Sequence, residues 1–168
     1  VCGDTYTILS GDDDRTVEMM RRDDIRAAGV ISVMSNILPG PIQRLAVAMA
    51  TGDTAAADKL ADDMKPLFGI VGVTTTETSP HGTVQCKARN PVPVKTLMNI
   101  LGMPSGPCRR PLGRLTRQGL DVALGAVKQV FANDPDLLTP IGDFFEVDIE
   151  ARLNDASLAD DLIYASGY

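Results

Sequence analysis

Short apolar runs, each followed by a helical pattern, open the chain. Residues 5–10 are apolar or β-branched and end at Gly11, and residues 30–33 form a second run of the same kind. Runs of this length that are followed by a helix are typical of buried parallel strands. The helix after the first run is predicted to reach about Ala28, with Gly29 at its end. Its candidate N-caps are Asp12, Asp13 and Asp14.

A second helix is predicted between Pro39, which suits a first helical turn, and Gly52, which suits a helix end. Its apolar face would consist of Ile42, Leu45, Ala46 and Met49. The order strand, helix, strand, helix indicates parallel strands joined by right-handed crossovers. The fold class predicted for residues 1–51 is therefore α/β.

The pattern becomes mainly helical after residue 51. Asp53 is a candidate N-cap for a helix with an apolar stripe that reaches Phe68. Asn90-Pro91 is predicted to cap a second helix, and residues 116–131 to form a third. The buried positions predicted for the third helix are Leu120, Val122, Ala123, Val127 and Val130. Before the second helix, residues 74–77 and 83–87 form either two short strands or parts of one irregular excursion.

The last part of the chain is strongly acidic. Residues 134–168 hold nine acids and one base, Arg152, and so have a net charge of −8. The whole chain has a net charge of −6, so residues 1–133 have a net charge of +2. It is also too apolar for a purely solvated tail. The segment is either disordered or packed against its own barrel or a neighbouring subunit with its acids in water. In the packed case, short helices are predicted at about 143–153 and 156–164.

Composition and charge argue against several classes of protein. An acidic chain without a basic stripe is not expected to bind nucleic acid, and no apolar run approaches the ~18 residues of a membrane span. The cysteines, Cys2, Cys86 and Cys108, lack metal or CxxC spacing and indicate reduced thiols in a cytoplasmic protein. With His81 as the sole histidine, neither a His-based triad nor a zinc site is expected. We expect no cofactor and no metal.

Two strand–helix units cannot cover both faces of a parallel sheet. In an eight-fold barrel of ~250 residues, six units would precede Val1, and in a doubly wound sheet two or three strands would be missing. The chain begins with Val1 and shows no signal segment, so we expect it to start inside a longer polypeptide. Alone, it is predicted to expose strand edges and to aggregate or to borrow a partner.

Four stretches match one known family in order and approximate spacing. They are Leu9-Ser10-Gly11-Asp12-Asp13, Gly29-Val30-Ile31-Ser32-Val33 with Asn36 after it, Asn90-Pro91-Val92-Pro93-Val94-Lys95, and Arg110-Pro111-Leu112. The first two resemble the loop after the seventh barrel strand and the eighth strand of dihydrodipicolinate synthases. The other two resemble the Asn-Pro-Ile-Pro-Val-Lys motif of their helical C-terminal domain and the Arg-Leu-Pro-Leu segment before their last helix. The resemblance covers about residues 5–131.

The resemblance implies the C-terminal part of a (β/α)8 TIM barrel followed by a mainly helical domain. Residues 1–51 would hold strands 7 and 8 with their helices, 52–131 the helical C-terminal domain and 132–168 an acidic C-terminal extension. The sequence departs from the family in residues 69–89, which are longer than the usual connection, and in about three extra residues after Gly11. The extension also passes the point where most members stop.

The implied activity is that of a class I, Schiff-base aldolase-type lyase. It condenses pyruvate with aspartate semialdehyde in lysine biosynthesis through diaminopimelate, in a homo-oligomer that is a tetramer or a dimer. One alternative is a related pyruvate-dependent aldolase, such as N-acetylneuraminate lyase or a sugar-acid aldolase or dehydratase. An alternative of another class is a helical interaction module whose acidic tail binds a partner.

The catalytic residues implied by the resemblance are not expected in this chain. The chain has the lysines Lys59, Lys65, Lys87, Lys95 and Lys128. Lys95 belongs to the family motif but falls in the helical region, so it is interpreted as a structural or interface lysine. The Schiff-base lysine on the sixth strand and the relay tyrosine would lie before Val1. Tyr6, Tyr164 and Tyr168 are expected to pack or to lie exposed.

The substrate-binding residues implied by the resemblance are Gly11 and Ile31. The position of Ile31 contributes a backbone contact to pyruvate in the family, and that of Gly11 lets the substrate approach. The structural alternative is that Gly11 is only a turn and Ile31 only barrel core. Ser32 and Asn36 are weaker candidates.

Overall fold

The computed structural model of the chain describes residues 5–165, which fall into two compact units. The first unit ends at Phe68 and the second begins at Gly69. Cys2 and Tyr168 lie outside the described residues.

Two segments of the first unit run parallel to each other. Three backbone hydrogen bonds of 2.8 Å join residues 8–10 to residues 28–31, and Ser10 and Val30 form a parallel bridge. The parallel pairing predicted from the sequence is therefore confirmed. It is shorter than predicted, because the second segment turns at Val33 into the 3₁₀ turn Met34–Asn36.

Three helices complete the first unit: α1 (Thr16–Arg21), α2 (Pro39–Thr51) and α3 (Thr54–Phe68). The predicted ends of α2 are confirmed, since Pro39 opens it and Gly52 closes it at a left-handed φ of 80°. Asp53 caps α3 as predicted, with Ala56 N–H donating to its carboxylate at 3.1 Å.

The prediction that the first helix reaches about Ala28 is wrong, because α1 ends at Arg21. Two carboxylates, Asp23 and Asp24, follow directly and oppose the negative end of the helix dipole. Arg22 binds Asp24 at 2.6 Å, and this hydrogen bond lowers the pKa of the Asp24 carboxyl. Arg22 itself leaves helical geometry with a ψ of 122°, so α1 does not continue.

The second unit opens with a β-hairpin. The strands β1 (Gly72–Ser79) and β2 (Gly82–Arg89) pair antiparallel along their whole length, with Ser79 opposite Gly82 at the turn. Of the two possibilities left open by the sequence, two strands are therefore correct, and both are longer than predicted. The region predicted to be mainly helical after residue 51 is therefore helical in α3 and again after residue 91, and the hairpin lies between these two parts.

The helices α4 (Val92–Ile100) and α5 (Arg117–Asn133) pack against this hairpin. Asn90-Pro91 was predicted to cap α4, and Pro91 does hold the N-cap position, but no side chain donates or accepts a capping hydrogen bond there. The Asn90 N–H donates instead to the Val71 carbonyl at 2.8 Å. Thr116 caps α5 by accepting the Gly119 N–H at 2.9 Å.

Four of the five positions predicted to be buried in α5 are buried: Leu120, Ala123, Val127 and Val130. Val122 is the exception, since its side chain is 51% exposed. It lies two residues from Leu120, about 200° around the helix, and so falls outside the buried face.

The acidic segment folds back onto the second unit. It contains α6 (Thr139–Phe145), α7 (Ile149–Asn154) and the 3₁₀ turn Ala156–Ala159. The single helix predicted at about 143–153 is wrong, because Glu146 adopts a left-handed φ of 53° and separates α6 from α7. The helix predicted at 156–164 is also wrong, since only the short 3₁₀ turn forms there. The apolar residues of the acidic segment are largely buried: Leu137, Leu138, Ile141, Ile149, Leu153 and Ile163.

Specific polar contacts hold the extension in place. The Arg152 guanidinium donates to the carbonyls of Ile100 at 2.6 Å and Asn99 at 3.1 Å, and so satisfies the C-terminal end of α4. Further on, Ile163 forms a parallel bridge with Leu115. Eight of the nine acids of the segment are exposed to water, and Asp134 is half-buried. The segment is therefore packed, as one of the two interpretations held, but its contacts are with α4 and Leu115 of the second unit and not with the barrel or neighbouring subunit that the interpretation named.

Candidate functional site

The parallel pairing brings Gly11 and Ile31 to the same edge of the first unit. Gly11 follows Ser10, and the Ile31 N–H donates to the Ser10 carbonyl at 2.8 Å. Both residues therefore stand at the carboxyl ends of adjacent parallel segments, which is where α/β proteins hold their ligands. The role in substrate binding that the resemblance implies for these two positions stays a prediction.

One face of the paired segments is exposed and apolar. Ile31 is 68% exposed and Leu9 is 43% exposed, whereas Ser10 between them in the pairing is fully buried. Tyr6, which precedes this face in the chain, is 72% exposed, in line with the expectation that it packs or lies exposed. The alternation of buried and exposed positions is that of a strand with one face directed into a protein interior.

Neither packing nor backbone conformation within the chain requires glycine at position 11. A Cβ atom built on Gly11 meets no atom within 4 Å, and its φ lies outside the left-handed region. A turn that needs glycine would show a positive φ. The space beside Gly11 is thus open in the described chain, and a ligand can use it.

A buried carboxylate joins the two segments next to these positions. Asp13 accepts hydrogen bonds from the Ser32 hydroxyl on Oδ1 and from the backbone N–H groups of Val33 and Met34 on Oδ2, at 3.1 and 3.2 Å. The side chain of Asp13 therefore caps the turn that follows Ile31. It does not cap α1, the helix that comes after Asp13 in the sequence. Only 7% of Asp13 is exposed.

Hydroxyl groups fix the loop from the other side. The Ser10 hydroxyl donates to the Asp12 carbonyl at 2.9 Å, and Thr16 Oγ1 lies 3.0 Å from the same carbonyl and 3.2 Å from Ser10 Oγ. Ser10 and Thr16 are both buried. The residues on either side of Gly11 are thus held by hydrogen bonds, while Gly11 itself is exposed.

The weaker candidates have structural partners. Besides its bond to Asp13, the Ser32 hydroxyl accepts the Ser35 N–H at 2.8 Å. The Asn36 side-chain amide donates to the Val33 carbonyl at 2.9 Å and so closes its own turn. Both side chains therefore shape the segment after Ile31.

The lysines lie on helices and on the hairpin. Lys59 forms an ion pair with Asp63 at 2.6 Å on α3, and Lys128 donates to the Asn154 side chain at 3.1 Å. Lys95 donates to the Pro107 carbonyl at 3.1 Å, beside a cavity of about 760 Å³ in the second unit. Its position on α4 agrees with the structural role expected from the sequence.

Residues 5–165 hold no group of three His, Cys, Asp or Glu side chains placed to bind a metal ion. No helix within these residues is long and apolar enough to cross a membrane. Cys86 and Cys108 are free thiols.

Sequence reasoning missed the role of Asp13. It was treated as one of three equivalent helix caps, because three aspartates in a row offer no local criterion to separate them. Asp12 and Asp14 are exposed, so only burial distinguishes Asp13. The pairing of the two distant segments, 19 residues apart at Ser32, is what creates its partners.

Parallel segments with helices between and after them define a protein of the α/β class. The model of the dihydrodipicolinate synthetase family matches residues 1–130, and the chain belongs to this family. The family resemblance proposed from four motifs, over about residues 5–131, is therefore confirmed.

Curated relatives are named 4-hydroxy-tetrahydrodipicolinate synthases. That of Methanococcoides burtonii is 34% identical over 125 residues, which cover 74% of this chain and 37% of the relative. That of Moorella thermoacetica is 31% identical over 124 residues, again 74% of this chain and 37% of the relative. The chain thus spans little more than a third of the length of these relatives.

Solved structures show the same partial correspondence. The 4-hydroxy-tetrahydrodipicolinate synthase of Methylacidiphilum fumariolicum SolV superposes with a TM-score of 0.62 at 28% identity, over 79% of this chain and 38% of that one. The dihydrodipicolinate synthase of Aquifex aeolicus gives 0.59 at 31% identity, over 76% and 38%. These fold neighbours are TIM barrels, so the chain has the fold of part of such a barrel enzyme.

Proposed function

We propose that this chain is the closing part of a lyase that condenses pyruvate with aspartate semialdehyde in lysine biosynthesis. The parent protein, meaning the longer polypeptide that would carry this chain, acts as a class I aldolase in the cytoplasm. The observation that carries the proposal is the position of Gly11 and Ile31 at the carboxyl ends of two adjacent parallel segments. Membership of the family supports the same conclusion.

In this proposal, residues 8–10 and 28–31 are the seventh and eighth strands of the barrel. Residues 1–51 are its end, 52–131 form the C-terminal domain and 132–168 are an extension. The other six strands cover the exposed face of Leu9 and Ile31, as the two-sided burial of parallel sheets requires. The parent protein assembles as a homo-oligomer.

The chemistry needs an unprotonated lysine, since only the free amine attacks the ketone of pyruvate. That lysine lies on the sixth strand, outside this chain. Its amine adds to the ketone to give a carbinolamine, which loses water to form an iminium with pyruvate. Loss of a methyl proton gives the enamine, whose carbon attacks the aldehyde. Gly11 and Ile31 border the place where pyruvate is held during these steps.

Each of the two residues has a defined contribution. Gly11 carries no side chain, which leaves room for the substrate against the backbone. The Ile31 N–H is already bonded to Ser10, so its backbone offers the ligand a carbonyl acceptor. A carbonyl suits a proton-bearing group, such as the hydroxyl of a carbinolamine or the N–H of an iminium, better than the carboxylate of pyruvate.

Borohydride trapping tests this function directly. The parent protein incubated with pyruvate and borohydride should gain the mass of one reduced pyruvyl adduct per chain, on a lysine outside residues 1–168. It should also consume aspartate semialdehyde in preference to the aldehydes of sialic acid and sugar-acid aldolases. An adduct on any lysine of the isolated 168-residue chain would refute the assignment of the site.

A further inference from the structure

We infer that Asp13 is a positioning residue for pyruvate, which holds Gly11 and Ile31 in register across the two strand ends. The inference rests on the proposed function and deepens it. Asp13 lies two residues after Gly11, and its three hydrogen-bond donors begin with Ser32, the residue after Ile31. The carboxylate is thus a cross-link between the two positions that border the substrate.

The cross-link acts where the backbone pairing ends. The ladder between the segments stops at the bond from the Ile31 N–H to Ser10. Beyond this point, the Asp13 carboxylate connects residues 11–13 to the turn at residues 32–34 in the part of the chain that the structure describes. Its burial removes competition from water, which strengthens each bond to the carboxylate.

The two oxygens of Asp13 have different tasks. Oδ2 accepts both backbone N–H groups, whereas Oδ1 accepts the Ser32 hydroxyl. An asparagine with its oxygen in the Oδ2 position keeps both backbone bonds, and its NH2 group can donate to Ser32 Oγ after the hydroxyl proton turns away. Asp13→Asn therefore preserves the cross-link, and Asp13→Ala abolishes it.

The geometry of the substrate depends on this cross-link. Small displacements of groups that position a substrate reduce the rate by large factors, because the reacting atoms must stand within a few tenths of an ångström. When the turn after Ile31 is released, the Ile31 carbonyl and the open space at Gly11 no longer face each other at a fixed distance. The binding of pyruvate is weakened, while the lysine that reacts with it remains in place.

Steady-state kinetics of the parent protein test the inference. We expect Asp13→Ala to raise the KM for pyruvate about tenfold, with a change in the KM for aspartate semialdehyde of less than about threefold. Asp13→Asn should remain within about threefold of the unaltered protein in both. Asp14→Asn is the matched control, since it makes the same change in charge at the neighbouring exposed position and should alter neither constant.

Two outcomes would overturn the inference. If Asp13→Ala lowers kcat only in proportion to the folded fraction and leaves the KM for pyruvate unchanged, Asp13 is merely structural. If Asp13→Asn raises this KM as much as Asp13→Ala, the retained backbone bonds do not position pyruvate. Should Asp13→Ala fail to fold, Asp13→Asn is compared with Ser32→Ala, which removes the Oδ1 donor together with the acceptor of the Ser35 N–H, and which should raise the KM for pyruvate more than Asp13→Asn does.

The test separates this inference from the proposed function. A parent protein that borohydride does not trap with pyruvate refutes both. A protein that is trapped, and whose Asp13→Ala variant keeps an unchanged KM for pyruvate, refutes only the role of Asp13.

Discussion

At the scale of single residues, Gly11 offers a direct separation of stability from activity. Because a Cβ atom there meets nothing and the φ is not left-handed, Gly11→Ala should change the free energy of unfolding by no more than ~1 kcal/mol. The methyl group would occupy the space proposed for pyruvate, so the KM for pyruvate of the parent protein should rise at least about tenfold. Steady-state kinetics and thermal unfolding of the same preparation measure the two effects.

Gly125→Ala is the control for Gly11. Gly125 lies in the middle of α5 and also has nothing within 4 Å of a Cβ atom. The substitution should stabilise the helix by up to ~1 kcal/mol and leave the kinetics unchanged. A Gly11→Ala protein that is stable and binds pyruvate normally would show that Gly11 is only a turn residue.

The contrast between Leu120 and Val122 tests the packing of α5. Leu120 is fully buried, whereas Val122 is 51% exposed. Leu120→Ala should cost ~2–5 kcal/mol because it leaves a cavity, and Val122→Ala should cost less than ~1 kcal/mol. Thermal unfolding of the parent protein measures both, and equal losses for the two variants would contradict the orientation of α5.

Residues could be predicted from the sequence where a local pattern decides their environment. The period of α5 identified four buried positions, and the glycine at position 52 identified a helix end. Asp13 could not be predicted in this way, since its partners lie about 20 residues away in the chain. A contact between distant segments leaves no periodicity in either of them.

At the scale of elements, the attachment of the extension depends on Arg152. Its guanidinium donates to two carbonyls at the end of α4, so Arg152→Ala removes the donor to Ile100, while Asn99 keeps the Gly102 N–H at 3.1 Å. We expect a local loss of about 1–3 kcal/mol. Amide hydrogen exchange in residues 146–154 should accelerate about tenfold or more, since 1.4 kcal/mol corresponds to a factor of ten.

Two further variants give this experiment its specificity. Arg152→Lys keeps the charge but cannot reproduce the two-pronged donation, so it should fall between Arg152→Ala and the unaltered protein. Arg109→Ala removes a charge from an exposed position and should not affect exchange in residues 146–154. Unchanged exchange in the Arg152→Ala protein would show that apolar burial alone holds the extension.

Elements were predictable when their ends carry a strong signal and uncertain when they do not. The bounds of α2 follow from Pro39 and Gly52, whereas α1 ends at Arg21 because Arg22 takes an extended conformation that no glycine or proline signals. The sequence does not decide between two strands and an irregular segment here, because the threonine-rich strands alternate only weakly between apolar and polar residues. The strands β1 and β2 are buried on one face because α4 and α5 pack against them. Tertiary packing thus decided what local propensity could not.

At the scale of the whole molecule, the parallel segments of the first unit have one neighbour each within the described residues. The family's TIM-barrel fold explains why the apolar side chains Leu9 and Ile31 face solvent in this chain. The sequence indicated this incompleteness through the number of its strand patterns, without any structure. It could not indicate that the extension packs on the second unit, because acidic composition alone also fits a disordered tail.

The exposed face leads to a prediction for the isolated 168-residue chain. Tyr6 and Ile31 are 72% and 68% exposed, and the paired segments have unpaired backbone edges, so the chain should self-associate through them. Size-exclusion chromatography with light scattering should show species larger than the 17.9 kDa monomer, in proportions that increase with concentration.

Lysine substitutions locate the surface that is responsible. The double variant Tyr6→Lys and Ile31→Lys should shift the isolated chain towards the monomer, because charged side chains at a strand edge oppose pairing with a second chain. Phe144→Lys is the matched control, since Phe144 is 79% exposed but lies on α6 in the second unit. If Phe144→Lys restores the monomer as well as the double variant does, the extension and not the open strand face drives association. If the unaltered chain is monomeric at every concentration, its two parallel segments do not need the partners that a barrel would supply.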